Sequence, residues 1–392
     1  YHNYFMKILS LDSALEIKKM KEGKTTVVIT GVTGQDGSNM VDFLLSQFPD
    51  GETHIFGGAR RLSVENHDNI EHLKNNKNFS LINLDITDPS CITRVIRDLR
   101  PDYFINFAAQ SFVGSSWDLP RQTFATNATA VLDMLDAIRL YAPSCRFYQA
   151  GSSEEFGDVA YSPQDENHPS RPVSPYGASK VAARALVKVY RESYNLFAVH
   201  SILFNHEGTR RGEEFVTRKI TLAAARIKLG LQDKLRLGNL DAKRDWGFAG
   251  DYTEAMWLML QQETAEDYVI ATGETHSVRE FLQEVFNYAK GANMNKQRRK
   301  DIDAVISRLT AIDLVGIQDA IQMIVDDEQT ALDELPENGV PAVKVRLCRV
   351  TDKPLAATGV LSSQRHSECS ACVGQAIDLA PNRPLRSSPA IA

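Results

Sequence analysis

The sequence predicts an α/β protein: a doubly wound parallel sheet, a smaller C-terminal lobe, and a tail that is helical and then disordered. Three observations predict it. Short β-branched or apolar runs alternate with stretches of helical spacing from residue 25 to about 204, which is the rhythm of a parallel sheet covered by helices. A turn with three glycines, Gly31-x-x-Gly34-x-x-Gly37, closes the first run and opens a helical pattern. After about residue 215 the strand-like runs give way to three helical stretches.

In chain order, residues 1–24 read as a mobile leader with a short helical piece. Met6–Leu11 faintly imitates a secretion signal, but Asp12 and Glu16 interrupt its apolar part and Lys18, Lys19 and Lys21 follow. Thr25–Thr30 is the first strand, and Met40, Phe43 and Leu44 mark the helix after the glycines. His54–Gly57, Phe79–Leu84, Tyr103–Phe107, Arg146–Gln149 and Phe197–Phe204 are short runs of strand character. Helices are expected near Ser90–Leu99, Phe124–Leu140 and Pro175–Tyr194, and in the lobe at Phe215–Leu229, Asp251–Gln261 and Ser277–Lys290. Residues 25–290 then form a nucleotide-binding domain with an intertwined lobe, mainly 205–290. In residues 291–335, Ile302, Val305, Ile306 and Leu309 give an amphipathic helical segment, and 336–392, rich in Pro, Ser and Ala, is expected to be disordered.

Composition narrows the function. With 43% apolar residues the chain has material for a sizeable core, and its net charge of −6 offers no basic footprint for nucleic acid or anionic membrane. No apolar run approaches the length of a membrane span. Five scattered cysteines make no disulfide framework and point to a reducing cytoplasm. Cys369-x-x-Cys372 with His366 has half the spacing of a zinc site and no matching second pair, so no metal is expected.

The glycine turn sits where a dinucleotide-binding, Rossmann-type fingerprint must sit, after a strand and before a helix. Gly31 allows the tight turn, Gly34 lets backbone N–H groups approach a pyrophosphate, and Gly37 permits close helix packing. The anion would rest at the helix N-terminus, beside Gln35 and Asp36. The next strand ends in Gly57-Gly-Ala-Arg60-Arg61, where NAD-binding proteins usually carry an acid for the ribose 2′-hydroxyl. A guanidinium grips a 2′-phosphate instead, so NADP is the expected cofactor, the alternative being two solvated arginines. Asp85 and Ile86 follow the third strand and would meet the adenine edge. Ala108, Ala109, Gln110 and Ser111 follow the fourth and would pass the nicotinamide half.

Tyr176 and Lys180 share one helix face, one turn apart. A lysine ammonium there favours the phenolate, which makes the tyrosine a workable acid and base. Ser152 could bind the same substrate oxygen, and Glu154 would lie on its side if the two mark a strand end. That set oxidises an alcohol with a nicotinamide and then removes a proton from the neighbouring carbon. The alternative for a lone Tyr-x-x-x-Lys is a solvated helix face.

Ile29–Gly37, Phe147–Ala150, Ser174–Gly177, Leu203–Glu207, Arg210–Gly212, Phe215–Lys219, Leu237–Gly247, Glu254–Leu260, Val269–Gly273 and His276–Phe281 resemble the extended short-chain dehydrogenase/reductases. Within them the chain is most similar to the GDP-mannose 4,6-dehydratase family. The glycine turn and the Tyr–Lys pair mark only the superfamily, whereas Asn205-His-Glu207 and Lys243-Arg-Asp-Trp246 are far more specific. The resemblance covers residues 25–290 and implies conversion of GDP-mannose to GDP-4-keto-6-deoxy-mannose, a lyase reaction on the way to GDP-fucose. It implies that Tyr176 takes the 4-hydroxyl proton and Glu154 the C5 proton, with Ser152 standing where threonine is usual. It adds His206 and Arg211 to the cofactor set, and gathers Ser111, Ser153, Glu154, Asn205, Glu207, Lys219 and Arg244 around the substrate. A homo-oligomer, dimer or tetramer, is implied, with the segment Arg60–Asn69 reaching a neighbouring subunit.

Read without the resemblance, Arg244 would pair with Asp241 or Asp245, and His206 would be a hydrogen-bonded core histidine. Departures from the family are Glu155-Phe156 in place of Leu-Tyr, and Phe112 and Phe248 where histidine is common. The family's closing segment is not recognisable after Lys290. The alternatives are therefore a dehydratase or epimerase acting on another nucleotide sugar, or a non-catalytic nucleotide-sugar-binding relative.

Overall fold

A computed structural model describes residues 8–9, 14–49, 51–63, 66–291 and 346–348. Its central sheet runs in the order β1-β4-β3-β2-β5-β6-β7-β11-β13. The strands are β1 (Ile8–Leu9), β2 (Thr25–Thr30), β3 (Thr53–Ala59), β4 (Phe79–Asn83), β5 (Tyr103–Asn106), β6 (Arg146–Ala150), β7 (Ala198–Leu203), β11 (Asp267–Ala271) and β13 (Arg346–Cys348). From β1 to β11 every pairing in this sheet is parallel. The strand order reverses between β2 and β5, so their C-terminal ends flank the crevice where doubly wound sheets bind ligands.

Local chemistry sets the helices. After α1 (Ala14–Lys21) and α2 (Gln35–Gln47), α3 (Pro89–Leu99) opens with Pro89 at its first position and Asp88 accepting from Ser90 N at 2.9 Å, and it closes on Arg100 at φ 40°. α4 (Ser115–Asp118) and α5 (Pro120–Phe124) run through a π turn, Ala125–Thr129, into α6 (Ala130–Tyr141). The single helix expected over 124–140 is thus broken by that turn. α7 (Pro175–Tyr194) occupies its expected span, with Ser174 capping Gly177 N at 3.0 Å and Asn195 at φ 56° ending it. Ile92, Val95 and Ile96 of α3, Val131 and Leu135 of α6 and Val187 of α7 bury one side of the sheet with Val28, Phe104 and Phe147.

By contacts the chain forms two compact units. The described part of the first holds residues up to Leu203 together with Thr253–Ile270, so the chain leaves the sheet and returns to it as β11. That strand was not foreseen. Tyr268–Ile270 is too short a run to distinguish from a buried helical piece by spacing alone. The expected leader also needs correction, because Ile8–Leu9 pair with Leu81–Ile82 and Ile17 of α1 is buried in the core. The segment 291–335 and most of 336–392 lie outside the described residues.

The second unit holds Phe204–Tyr252 and resumes at Ala271. In it β8 (Asn205–Glu207) pairs in parallel with β10 (Trp246–Phe248), and β9 (Lys243–Arg244) pairs antiparallel with β12 (His276–Ser277). α8 (Val216–Lys228) and α10 (Val278–Gly291) enclose a small core of Ile220, Ala224, Trp246, Val278, Phe281 and Val285. α9 (Ala249–Leu260) begins in this unit and ends in the first.

Asp267, at the start of β11, ties the last strands to the helix bearing Tyr176. Its oxygens meet Arg184 Nε at 2.8 Å and Arg191 NH2 at 2.9 Å, both on α7. Burial alone would raise the Asp267 carboxyl, but His200, Arg191 and Arg184 outweigh it and hold it below its usual value. A depressed carboxylate stabilises the fold above its unfolded pKa of 3.8 and stops doing so as pH falls through the lower folded value. Asp267→Ala should therefore cost about 3 kcal/mol in denaturant unfolding at neutral pH, and the gap to the parent should close in strong acid.

Candidate active site

The first feature of the site is a cradle built by missing side chains. Gly31 has φ 65°, and a Cβ on it would come within 2.8 Å of Ala108 N. A Cβ on Gly37 would strike the Gly31 carbonyl oxygen. Gly34 caps α2 without a side chain, so an anion can approach the N-terminus of that helix with no Cβ in its way. Gln35, buried, donates through Nε2 to Asp36 Oδ1 at 3.2 Å. The cradle fits a dinucleotide pyrophosphate, and the glycines stand where the sequence spacing put them.

A buried polar chain crosses the C-terminal ends of the three central strands. Thr30 Oγ1 donates to Asn106 Oδ1 at 2.5 Å and accepts from Ala108 N at 3.0 Å. Asn106 Nδ2 donates to Gln149 Oε1 at 2.8 Å, and Gln149 Nε2 to Ala150 O at 2.9 Å. Lys180 Nζ reaches the same Ala150 oxygen at 2.8 Å. A second tie runs through Asn127 in the π turn, whose Oδ1 accepts from Gln110 N at 2.8 Å and whose Nδ2 donates to Ser179 Oγ at 3.1 Å. Ser179 Oγ in turn donates to Tyr176 O at 2.6 Å. Sequence reasoning missed Thr30, Asn106, Asn127 and Ser179, because polar residues within apolar runs carry no local signature of their distant partners.

Tyr176 and Lys180 are both buried on the first turns of α7, with Lys180 Nζ 5.8 Å from the phenol ring centroid. The solvated-face alternative is thereby excluded. Burial lowers the Lys180 pKa to about 8, partly opposed by the negative charges of Glu155 and Asp36. The expectation that Ser152 and Glu154 share one side of a strand end is corrected: β6 ends at Ala150, and Ser152 caps a 3₁₀ turn, Ser153–Glu155. The turn still meets α7, since a Cβ on Gly177 would lie 2.5 Å from Glu154 O. Ser152, Ser153 and Glu154 are half-buried. One short stretch of backbone carrying Ser152 and Glu154 thus packs against the helix turn that bears the tyrosine.

The other expected cofactor residues divide. Arg60 and Arg61 lie exposed just past β3, open to a ligand phosphate. Ala108 and Gln110 follow β5, half-buried, and Ser111 is exposed. Asp85 Oδ1 accepts from Thr87 N at 2.9 Å and from Thr87 Oγ1 at 2.7 Å, closing a turn, while Ile86 belongs to the apolar core. In the second unit His206 Nδ1 faces Phe204 O at 3.0 Å and its ring stacks on Tyr252 at 4.7 Å, as a core histidine would. Glu207 accepts from Thr217 Oγ1 at 2.5 Å and pairs with Arg211, which lies over the Phe215 ring. Asn205 is half-buried on β8, and Lys219 and Arg244 are exposed. Arg244 NH1 donates to Lys243 O at 2.8 Å, whereas Asp241 pairs with Arg279 and Asp245 binds Thr272 and Gly273 N. The alternative that paired Arg244 with one of those aspartates is not what the structure has.

Among the described residues there is no cluster of side chains suited to a metal ion, and no helix is long and apolar enough to cross a membrane. Cys369, Cys372 and His366 lie outside them.

Comparison with known proteins identifies the family of the chain. A family profile described as GDP-mannose 4,6 dehydratase matches residues 28–332, beyond the limit at residue 290 that the motifs alone suggested. The chain is 45% identical over 334 residues to GDP-mannose 4,6 dehydratase 2 of Arabidopsis thaliana, covering 78% of this chain and 87% of that one. It is 48% identical over 276 residues to the human GDP-mannose 4,6 dehydratase, covering 68% and 73%. In fold it resembles the dTDP-glucose 4,6-dehydratase of Bacillus anthracis, solved with NAD, at TM-score 0.62 and 19% identity over 78% of this chain and 97% of that one. The chain belongs to the GDP-mannose 4,6-dehydratase family.

Burial of Lys180 has a pH signature. Because its folded pKa of about 8 lies below the ordinary 10.5, the unfolded chain binds more protons between those values, and stability contributed by this site rises with pH across the window. Urea midpoints of the parent and of Lys180→Met should show the parent gaining on the variant as pH is raised through that interval.

Proposed function

We propose that this member of the GDP-mannose 4,6-dehydratase family converts GDP-mannose to GDP-4-keto-6-deoxy-mannose, with NADP as its cofactor. The observation that carries the reading is the packing of the Ser152–Glu155 turn against the first turn of α7. That backbone contact, together with the burial of Tyr176 and Lys180 on α7, supports reading Glu154 as the base that works with the tyrosine. When bound in the glycine cradle of Gly31, Gly34 and Gly37, NADP would supply a hydride acceptor for sugar C4 and a hydride donor for C6, with no net change in its own oxidation state. Tyr176 accepts the proton of the 4-hydroxyl, and the Ser152 hydroxyl donates to the same oxygen. The 4-ketone so formed acidifies the C5 proton, which Glu154 removes. The 6-hydroxyl then departs as water, carrying the proton that Glu154 took, and C5 regains a proton from the site when the hydride reaches C6. A simple 4-epimerase needs no base at C5, which sets Glu154 against that alternative.

NADP rather than NAD rests on the two exposed arginines past β3 and on the absence of an acid there. Gly31, Gly34 and Gly37, with Gln35 and Asp36, would hold the pyrophosphate, and Ala108, Gln110 and Ser111 would border the nicotinamide. Asp85 and Ile86, and His206 and Arg211 in the second unit, have structural partners that leave them a supporting part. Lys219 and Arg244 offer exposed cations to the GDP diphosphate, with Asn205 and Glu207 on β8 of the same unit. A cavity lined by Glu207, Arg211, Thr217 and Arg218 adds two further guanidiniums to that unit. A homo-oligomer in the cytoplasm completes the reading. The exposed Trp117, Leu119, Phe124 and Leu140 favour assembly, and the sparse cysteines favour the compartment.

Incubating the protein with NADP and GDP-mannose should yield a nucleotide sugar lighter by one water. Glu154→Gln should bind both ligands yet lose that product by about a hundredfold or more. No water loss from the parent, or an unimpaired Gln variant, would contradict the assignment.

A further inference from the structure

Directly beneath the Ser152–Glu154 turn lie two titratable side chains that the reaction does not use. Glu155 and His200 are both fully buried, with side chains at 0% exposure. His200 Nε2, on strand β7 next to β6, meets Glu155 Oε1 at 3.0 Å. The same oxygen accepts from Ser152 N at 2.8 Å, while Ser152 Oγ accepts from Glu154 N at 3.2 Å. The two ends of the turn therefore hold each other in a capping box. Gly151 shows how closely the pair is fitted, since a Cβ there would run into Glu155 Oε1, His200 Nε2 and Ser201 O.

Placing a carboxyl and an imidazole wholly out of water is costly, and an apolar pair of similar volume would fill the space at lower cost. What an apolar pair could not supply is the acceptor for Ser152 N. Serine has no second branch at Cβ, so three staggered rotamers are open to its hydroxyl. With one lone pair of Oγ engaged by Glu154 N–H, the hydroxyl hydrogen is left to be given to a substrate oxygen. The backbone from Ala150 to Glu155 also carries the carbonyl that anchors Lys180.

We propose that Glu155, braced by His200 from β7, is the positioning residue that fixes Ser152 as a hydrogen-bond donor and aims Glu154. The reaction roles of Ser152 and Glu154 rest on the function proposed above, whereas the lock itself stands on backbone geometry. Glu155 touches no substrate and acts through the turn it closes.

The test combines amide hydrogen exchange with turnover. In the parent, the Ser152 and Glu154 amides should be protected by about a hundredfold or more relative to an open peptide, although the turn is half-buried. The double variant Glu155→Leu with His200→Leu keeps the interior filled and apolar, and should speed exchange at both amides by at least about tenfold. Its kcat should fall by about 10- to 100-fold with the KM for GDP-mannose within about threefold, as expected when a reacting group is misplaced rather than a binding site lost. Glu155→Gln retains the acceptor oxygen and should keep exchange at both amides within about threefold of the parent, the readout that separates the lock from the charge Glu155 lends to Lys180. Unprotected amides in the parent, parental exchange and kcat in the double variant, or a Gln variant whose amides exchange as fast as those of the double would each overturn the proposal. If the parent does not turn over GDP-mannose, the functional reading fails while exchange still decides the lock.

Discussion

Burial of the Lys180 ammonium against the Ala150 carbonyl is the constraint on which the rest of the site depends. An ammonium without water must be given acceptors and nearby negative charge. The last carbonyl of β6 supplies one acceptor, and the charges of Glu155 and Asp36 oppose the loss of its proton. Lys180 Nζ and Gln149 Nε2 both donate to Ala150 O, and Gln149 continues through Asn106 to Thr30. The ends of β2, β5 and β6 are thereby fixed to one another and to the helix carrying Tyr176. A sheet held this way presents the glycine cradle and the tyrosine in one crevice, where a strand-order reversal already opens a cleft.

The remaining constraints are close approaches of backbone. Gly31 and Gly37 allow the first turn to fold over α2, and Gly177 lets α7 approach the turn of Glu154. At such points a methyl group would do more harm than an altered charge, because neighbouring carbonyls cannot move aside cheaply. The second unit obeys the same logic on a smaller scale: Asp245 receives two backbone amides and a hydroxyl, fixing the loop after β11 to the strand that bears Arg244.

Much of this was legible in sequence where the information is local. The glycine turn announces itself by spacing, Pro175–Tyr194 by its cap and period, and Tyr176 and Lys180 by a one-turn separation. What was illegible depends on partners far apart in the chain. Thr30 meets Asn106 across 76 residues, Asn127 meets Ser179 across 52, and Glu155 meets His200 across 45. Each looks from sequence like a polar residue beside an apolar run. β11 escaped notice because three apolar residues fix no period. The side of Glu154 was misjudged because a 3₁₀ turn, signalled only by Ser152 and Glu155 at capping-box spacing, replaces the strand end. His206 reads as a core histidine from its own stretch and as a cofactor residue only by resemblance, and Tyr252 stacked on it fits the core reading.

The central proposal is that one hydride leaves sugar C4 and returns to C6, while Glu154 exchanges the C5 proton. It is tested most directly by supplying GDP-mannose deuterated at C4 and, separately, unlabelled substrate in deuterated water. The account predicts that the C4 deuterium appears at C6 of the product without dilution, and that solvent deuterium enters C5. Loss of the C4 label to solvent, or a product with the C5 hydrogen retained, would contradict it.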